Sequence, residues 1–228
     1  MLNVNGFVLK LIAMLTMLLD HSAAIFLEYG STEYIICRTI GRLSFPIFCF
    51  LLVEGFIHTH NVRKYLLRLG VFAFLSEIPF DLAFYNRFPN FYHQNIYFTL
   101  FIGLLVIYLI HVIDTKMKSR IFLCSLSEIV VVGLGGIAAL VLAVDYNFVG
   151  VLLIVGLYIF RKNKVLQGLV MIFVNVLLIG DLQSYAILAM IFIWFYDGER
   201  GPKFNKYVFY AFYPVHLLVL YLINVSII

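Results

Sequence analysis

The chain has 228 residues, of which 64% are hydrophobic and only 12% charged, with a mean hydropathy of +1.03. A soluble domain runs nearer 45–50% apolar and about 25% charged, so a water-soluble fold is excluded and an all-α, polytopic integral membrane bundle of one domain is expected. The formal net charge of +4 points to no nucleic acid, because the basic residues fall where membrane topology needs them.

Taken in order, the chain offers about nine apolar segments. They are Phe7 to Tyr29, Ile35 to Ile57, Tyr65 to Tyr85, Ile96 to Ile113 and Ile121 to Val144, then Phe148 to Phe160, Val165 to Gly180, Tyr185 to Tyr196 and Tyr207 to Ile227. Asp20 and His21 interrupt the first, so it reads as a span rather than a cleaved signal peptide. Gly133, Gly135 and Gly136 suit the fifth to close helix packing. The sixth to eighth are short for a crossing of roughly 17–25 residues, so some of them are expected to be half-helices or re-entrant, and nine spans is the estimate.

Basic residues orient the array. They cluster at Arg63-Lys64, at Lys116, Lys118 and Arg120, at Arg161, Lys162 and Lys164, and at Arg200, Lys203 and Lys206, on alternate loops. The connections near Glu33, Asp145 and Asp181 carry no Lys or Arg, and the loop after the third segment carries only Arg87. The positive-inside rule then puts the N-terminus in the cytoplasm and the C-terminus outside.

The first segment carries the densest chemistry. Helical pitch brings His21 back to within about 20° of Lys10 and about 16 Å further along the axis. Asp20 is turned about 80° from that face, toward a neighbouring helix. On the outer half of the membrane lie Asp20, His21, Arg38, Arg42, Glu77 and Asp81, and nearer the cytoplasm Lys10, Glu54 and Arg68. Arg38/Arg42 and Glu77/Asp81 are spaced to share a helix face, with a kink expected at Pro79 between the acids. Ionisable groups at such depth are costly and mark either structural ion pairs, Glu54 with Arg68 for instance, or a site. His21 beside a carboxylate, a cation and arginines at equal depth suits a general base with donors for an oxyanion. Asp20 either orients His21 or pairs with Arg42. His93 is expected at an external entrance, His58 and His60 at a solvated helix end, and His216 beside a proline break lining a cavity. Cys37, Cys49 and Cys124 are scattered without a C-x-x-C, read as buried apolar side chains, and no metal is expected.

Several stretches resemble the TraX family. They are Lys10 to His21, Ile-Gly-Arg-Leu-Ser-Phe-Pro-Ile-Phe (Ile40 to Phe48), Glu-Gly-Phe (Glu54 to Phe56) and Lys-Tyr-Leu-Leu-Arg-Leu (Lys64 to Leu69). Ser-Glu-Ile-Pro-Phe-Asp (Ser76 to Asp81), Tyr-Asp-Gly-Glu-Arg-Gly (Tyr196 to Gly201) and Phe-Tyr-Pro-Val-His (Phe212 to His216) follow in the same order. The resemblance implies a multi-pass protein of the bacterial cytoplasmic membrane that acetylates the N-terminal amine of a pilin from acetyl-CoA. The spacing of Lys10 and His21 is also similar to the Arg and His of family-3 membrane acyltransferases, with Lys in place of a bidentate Arg. On that basis Lys10, Arg68, Arg200 and Lys203 are expected to hold the cofactor's phosphates, and the pantetheine arm to pass Met14 and Met17. His21, Asp20 and Arg42 are expected at the reacting centre, and Arg38, Glu77, Asp81 and His216 around an extracytoplasmic acceptor, a pilin-like peptide or a glycan. Two other classes stay open: a proton-coupled transporter, against which the absence of an internal repeat counts, and a non-enzymatic pilus or secretion assembly protein.

Overall fold

A computed structural model describes residues 4–117 and 119–227; Lys118 of the second basic cluster lies outside them. The regular structure of the described residues is all helical, with two isolated bridges, Val4 to Tyr196 and Gln94 to Val144, and no strand. Helix starts follow from short polar side chains placed just before apolar runs. Asn5 caps α1 (Gly6–Phe26) by accepting from the amides of Phe7 and Val8, and Ser31 caps α2 (Thr32–Gly41) through Tyr34. Asn61 and Asn95 do the same for α4 (Val62–Tyr85) and α5 (Ile96–Lys116), and Asn163 for α8 (Lys164–Ile172).

The second apolar segment is bent rather than straight. Its helix stops at Gly41 and restarts as α3 (Ser44–Ile57), with Arg42 and Leu43 at the bend. Pro46 lacks the amide that would bond the Arg42 carbonyl, which explains why the break falls there. The third segment behaves the other way: α4 stays helical through Pro79. The seventh and eighth segments are less regular than expected. After α8 the chain widens into a π turn (Phe173–Ile179), reverses at Gly180 and tightens into a 3₁₀ stretch (Asp181–Leu188) before α9 (Ala189–Trp194). Gly180 sits at φ +75°, a left-handed value that glycine adopts at no steric cost.

Five helical stretches are long and apolar enough to cross a membrane: Gly6–Phe26, the bent Thr32–Ile57, Ile96–Lys116, Ile121–Val141 (α6) and Lys206–Ile227 (α10). α4 has 24 residues, but Arg63, Lys64, Arg68, Glu77 and Asp81 dilute its apolar surface. α7 (Asn147–Ile159) and the two arms of the α8–α9 hairpin are shorter than a crossing needs.

The core lies where α3, α5 and α7 meet, and Ile47, Leu104, Ile107, Leu153, Ile154 and Leu157 are fully buried there. Gly103 lets α5 meet the Ile154 side chain, and Gly135 does the same for α6 against Val106. Gly136 touches only Phe148 and Gly133 faces open space, so one of the three expected α6 glycines makes a close crossing. α1, α2, α4 and α10 wrap one side of this core, with α4 packed along α10 and α1 along α2. The walls between those four helices and the core hold the polar groups.

Candidate functional site

A cavity of about 360 Å³ opens between α1, α2, α3, α4, α5 and α10. Its polar lining is Asp20, His21, Arg38, Arg42, Ser44, His93 and Asp145, set among aromatic rings that include Phe45, Phe84, Tyr97, Tyr146 and Tyr213. Asp20 is the hub of the α1–α2 contact. Its Oδ2 accepts from Arg38 Nη1 at 2.6 Å, and its two oxygens accept from Arg42 Nη2 at 2.6 and 2.7 Å. Gly41 makes the approach possible, because a Cβ there would overlap the Asp20 side chain. Sequence spacing left two partners open for Asp20; the arginines take it, and it is not bonded to His21.

The two arginines differ in what they have left to give. Arg42 donates Nε to the Arg38 carbonyl (3.3 Å), Nη1 to Tyr146 Oη (3.3 Å) and Gln183 Oε1 (3.4 Å), and Nη2 to both Asp20 oxygens. All five of its N–H groups therefore have partners. Arg38 bonds Asp20 through Nη1 alone among the described residues. Of the two guanidiniums lining the cavity, the one with free donors is thus Arg38, where the sequence had assigned oxyanion binding to Arg42.

His21 is held from the other side. Its Nδ1 lies 2.7 Å from Nε2 of His216 on α10, and His216 Nδ1 lies 2.8 Å from the Phe212 carbonyl. Phe84 and Tyr213 pack edge-on against the His21 ring at 5.3 and 6.0 Å. His216 is buried and is not part of the cavity wall, so it touches His21 instead of the acceptor space the sequence gave it. Pro214 frees the Tyr210 carbonyl in the same helix, and the Tyr97 hydroxyl donates to that carbonyl at 2.9 Å. The expected proline break is therefore satisfied by a side chain, and α10 stays helical through it.

Glu77 and Asp81 also serve differently from expectation. Glu77 accepts from the Asn95 backbone amide at 2.9 Å and from the Asn95 side chain, and Asp81 accepts from the Asn90 amide at 2.7 Å. Both carboxylates brace the turn before α5 rather than lining the cavity. That turn carries His93, whose Nε2 stands 3.5 Å from Asp145 Oδ1. Hydrogen bonding to this carboxylate raises the His93 imidazole above its ordinary pKa. Asp145 and Tyr146 come from a tight turn in which Ala143, Tyr146 and Asn147 all have positive φ, pinned by Gln94 to Ala143 and Asp145 to Gln94 backbone bonds of 2.9 Å. Sequence reasoning noted Asp145 only as a loop acid and missed Tyr146. The available signal was the polar Asp-Tyr-Asn run that interrupts two apolar segments.

A second, smaller cavity of about 170 Å³ gathers Lys10, Arg200, Lys203 and Lys206 with Phe7, Phe204, Phe209 and Pro202. The loop before α10 reaches α1 through main-chain bonds, Gly6 amide to Glu199 carbonyl at 2.8 Å and Asp197 amide to Val4 carbonyl at 3.2 Å. Gly201 turns there at φ +76° directly against the Asn5 cap, so that Arg200 comes to Lys10. Lys10 Nζ lies over the Phe209 ring at 5.0 Å, and Phe209 lines both cavities. Lys10, Arg200 and Lys203 are thus brought together as the sequence suggested. Arg68 is not among them: it stacks between Tyr65 (5.5 Å) and Tyr210 (5.9 Å). Nor does Arg68 pair with Glu54, which accepts from the Tyr196 hydroxyl at 3.3 Å and lies 3.6 Å from His58. Cys49 is buried as expected, whereas the Cys124 thiol sits between Asp114 and Glu128 at 3.8 and 3.5 Å.

No solved structure matches the chain. A curated protein of Dichelobacter nodosus, named "Probable fimbrial assembly protein FimC, serogroup H1", is 33% identical over 245 aligned residues, covering 95% of this chain and 94% of that protein. The family model described as "TraX protein" matches residues 5–224, and by that match the chain belongs to the TraX family.

Proposed function

We propose that the protein is an integral membrane acetyltransferase that moves an acetyl group from cytoplasmic acetyl-CoA to an amine or hydroxyl acceptor at the outer half of the cytoplasmic membrane. The supporting observation is the pair of abutting cavities: one helix, α1, carries Lys10 in the basic cavity and His21 in the central one, and Phe209 borders both. Four cations among aromatic rings suit the phosphates and adenine of a nucleotide. The distance along the helix, about 16 Å from Lys10 to His21, suits an extended pantetheine arm.

In this reading the acceptor nitrogen or oxygen attacks the thioester carbonyl carbon, and His21 Nε2 takes the proton that the acceptor loses. Arg38 donates to the tetrahedral oxyanion, while Arg42 and Asp20 hold Arg38 and the α1–α2 contact in place. The C–S bond breaks, the proton passes from the imidazolium to the departing thiolate, and the products are the acetylated acceptor and free CoA thiol. The relative's printed name favours a fimbrial or pilus subunit as acceptor, and it also suits a second reading, a non-enzymatic assembly role. Incubating the purified protein with radiolabelled acetyl-CoA and membrane extract separates them. Label transferred to a protein or glycan supports the enzyme; folded protein with neither acetyl-CoA binding nor transfer supports the assembly role.

The donor end has its own test. Lys10→Ala and Arg200→Ala are each expected to weaken acetyl-CoA binding about tenfold at low salt, with a smaller loss at high salt because screening weakens the wild-type contacts too. Arg68→Ala should leave affinity near wild type. Calorimetry on detergent-purified variants reads both, and unchanged affinity in Lys10→Ala and Arg200→Ala would move the phosphate site elsewhere.

Two-sided chemistry depends on the orientation read from the basic loops, with the N-terminus inside and the C-terminus outside. In a background without Cys37, Cys49 and Cys124, cysteine at Ser31 or Asn147 should react with an impermeant thiol reagent on intact cells. Cysteine at Asn163 should react only after permeabilisation. The opposite pattern would invert the orientation and with it the direction of donor entry.

A further inference from the structure

We propose that His216 is a positioning residue that fixes the protonation of His21, holding its hydrogen on Nδ1 and leaving the Nε2 lone pair for the cavity. The catalytic consequence rests on the acetyltransferase reading; the tautomer itself does not.

The argument starts at a carbonyl, which can only accept. His216 Nδ1 is 2.8 Å from the Phe212 oxygen, so Nδ1 carries the hydrogen. In a neutral imidazole the other nitrogen is then an acceptor, and His216 Nε2 offers its lone pair at 2.7 Å to His21 Nδ1. That contact is a hydrogen bond only if His21 Nδ1 donates, and His21 Nε2 is left bare. The rival arrangement, with His216 doubly protonated, adds a cation close to a cavity where Arg38 and Arg42 already share one carboxylate.

The supporting frame is built to keep this geometry. The His216 ring stacks on Phe212 at 4.9 Å, lies nearly parallel to the His21 ring at 5.0 Å, and meets Tyr213 edge-on at 5.7 Å. Tyr213 in turn packs against Tyr97, whose hydroxyl donates to the carbonyl freed by Pro214. The Phe-Tyr-Pro-Val-His stretch is therefore one device, and each of its polar or aromatic members sets the plane or the register of His216.

A neutral imidazole has an advantage over a carboxylate in this place. The acid next to His21 in sequence, Asp20, is drawn wholly to the arginines. An uncharged acceptor at position 216 does not compete for them, yet its lone pair strengthens its bond to His21 once His21 has taken a proton. His216 would thus do for His21 what an orienting carboxylate does for a catalytic histidine elsewhere.

The test is nitrogen-15 NMR of histidine-labelled protein in detergent, with His21→Asn used to identify the His21 signals, alongside kinetics of His216→Gln and His216→Leu. Wild type should show His21 protonated at Nδ1. Gln can accept through Oε1 and should keep both that signature and most of the turnover. Leu cannot accept; it should release His21 to the other tautomer and lower kcat by about 10²-fold, with KM for acetyl-CoA within about twofold. A wild-type His21 protonated at Nε2 overturns the proposal, as does His216→Leu with tautomer and kcat unchanged. Should His216→Leu fail to fold, the wild-type and Gln spectra still decide. An Nδ1–H His21 in a protein that transfers no acetyl group would uphold the proton assignment while defeating the enzymatic reading.

Discussion

His21→Ala is expected to lower acetyl transfer by about 10²–10⁴-fold, the usual effect of losing a general base, while acetyl-CoA still binds. The separation follows from distance: the cations of the basic cavity sit at the other end of α1 from His21. His21→Asn should fail equally, because it keeps polarity but has no basic nitrogen at neutral pH. The discriminating quantity is turnover per folded molecule, measured on monodisperse protein after size exclusion. A histidine that merely packs against Phe84 and Tyr213 predicts lower yield with unchanged turnover. Normal turnover in folded His21→Ala would remove the imidazole from the chemistry.

Asp20→Asn should produce the largest loss of stability of any single polar substitution in the cavity. The change keeps shape and removes charge, so Arg38 and Arg42 face each other without their shared counter-ion. Breaking a buried pair by removing one partner costs about 3–5 kcal/mol. Both guanidiniums are only partly buried and Arg42 keeps its bonds to the Arg38 carbonyl, Tyr146 and Gln183, so the loss belongs at the lower end of that range. Chemical unfolding in mixed micelles reads the effect directly. A change under about 0.5 kcal/mol would mean that water or lipid phosphate already neutralises the arginines.

How much was legible in the sequence depended on the kind of contact. Helix starts were readable within a few residues, because Asn5, Ser31, Asn61, Asn95 and Asn163 each stand where an apolar run begins. Facing along one helix was readable too, since periodicity puts Lys10 and His21 on one side of α1 and Arg38 and Arg42 on one side of the second apolar segment. Partners across helices were not. Periodicity states which way Asp20 points but not that Gly41 lets α2 come close enough for both arginines to reach it. His216 was noticed as a buried histidine, yet nothing local ties it to His21, which lies at the opposite end of the chain. The α8–α9 hairpin resisted for another reason. Asn175 donates to the Met171 carbonyl and accepts from Gln183, and the chain widens to a π turn around that pair, an arrangement set by tertiary contact rather than propensity.

Phe209 has a consequence for the membrane as an insulator. In the orientation proposed above, with the basic cavity toward the cytoplasm and the histidine cavity toward the outside, one continuous water file would make a proton leak. The Phe209 ring borders both chambers, with the Lys10 ammonium held over it. An ammonium on the ring face repels hydronium, and the ring itself offers no hydrogen bond along which a proton could hop. The residue that borders both cavities can therefore serve as the electrical seal between them, and under the proposed acetyltransferase reading the donor's organic chain would displace water from the same gap.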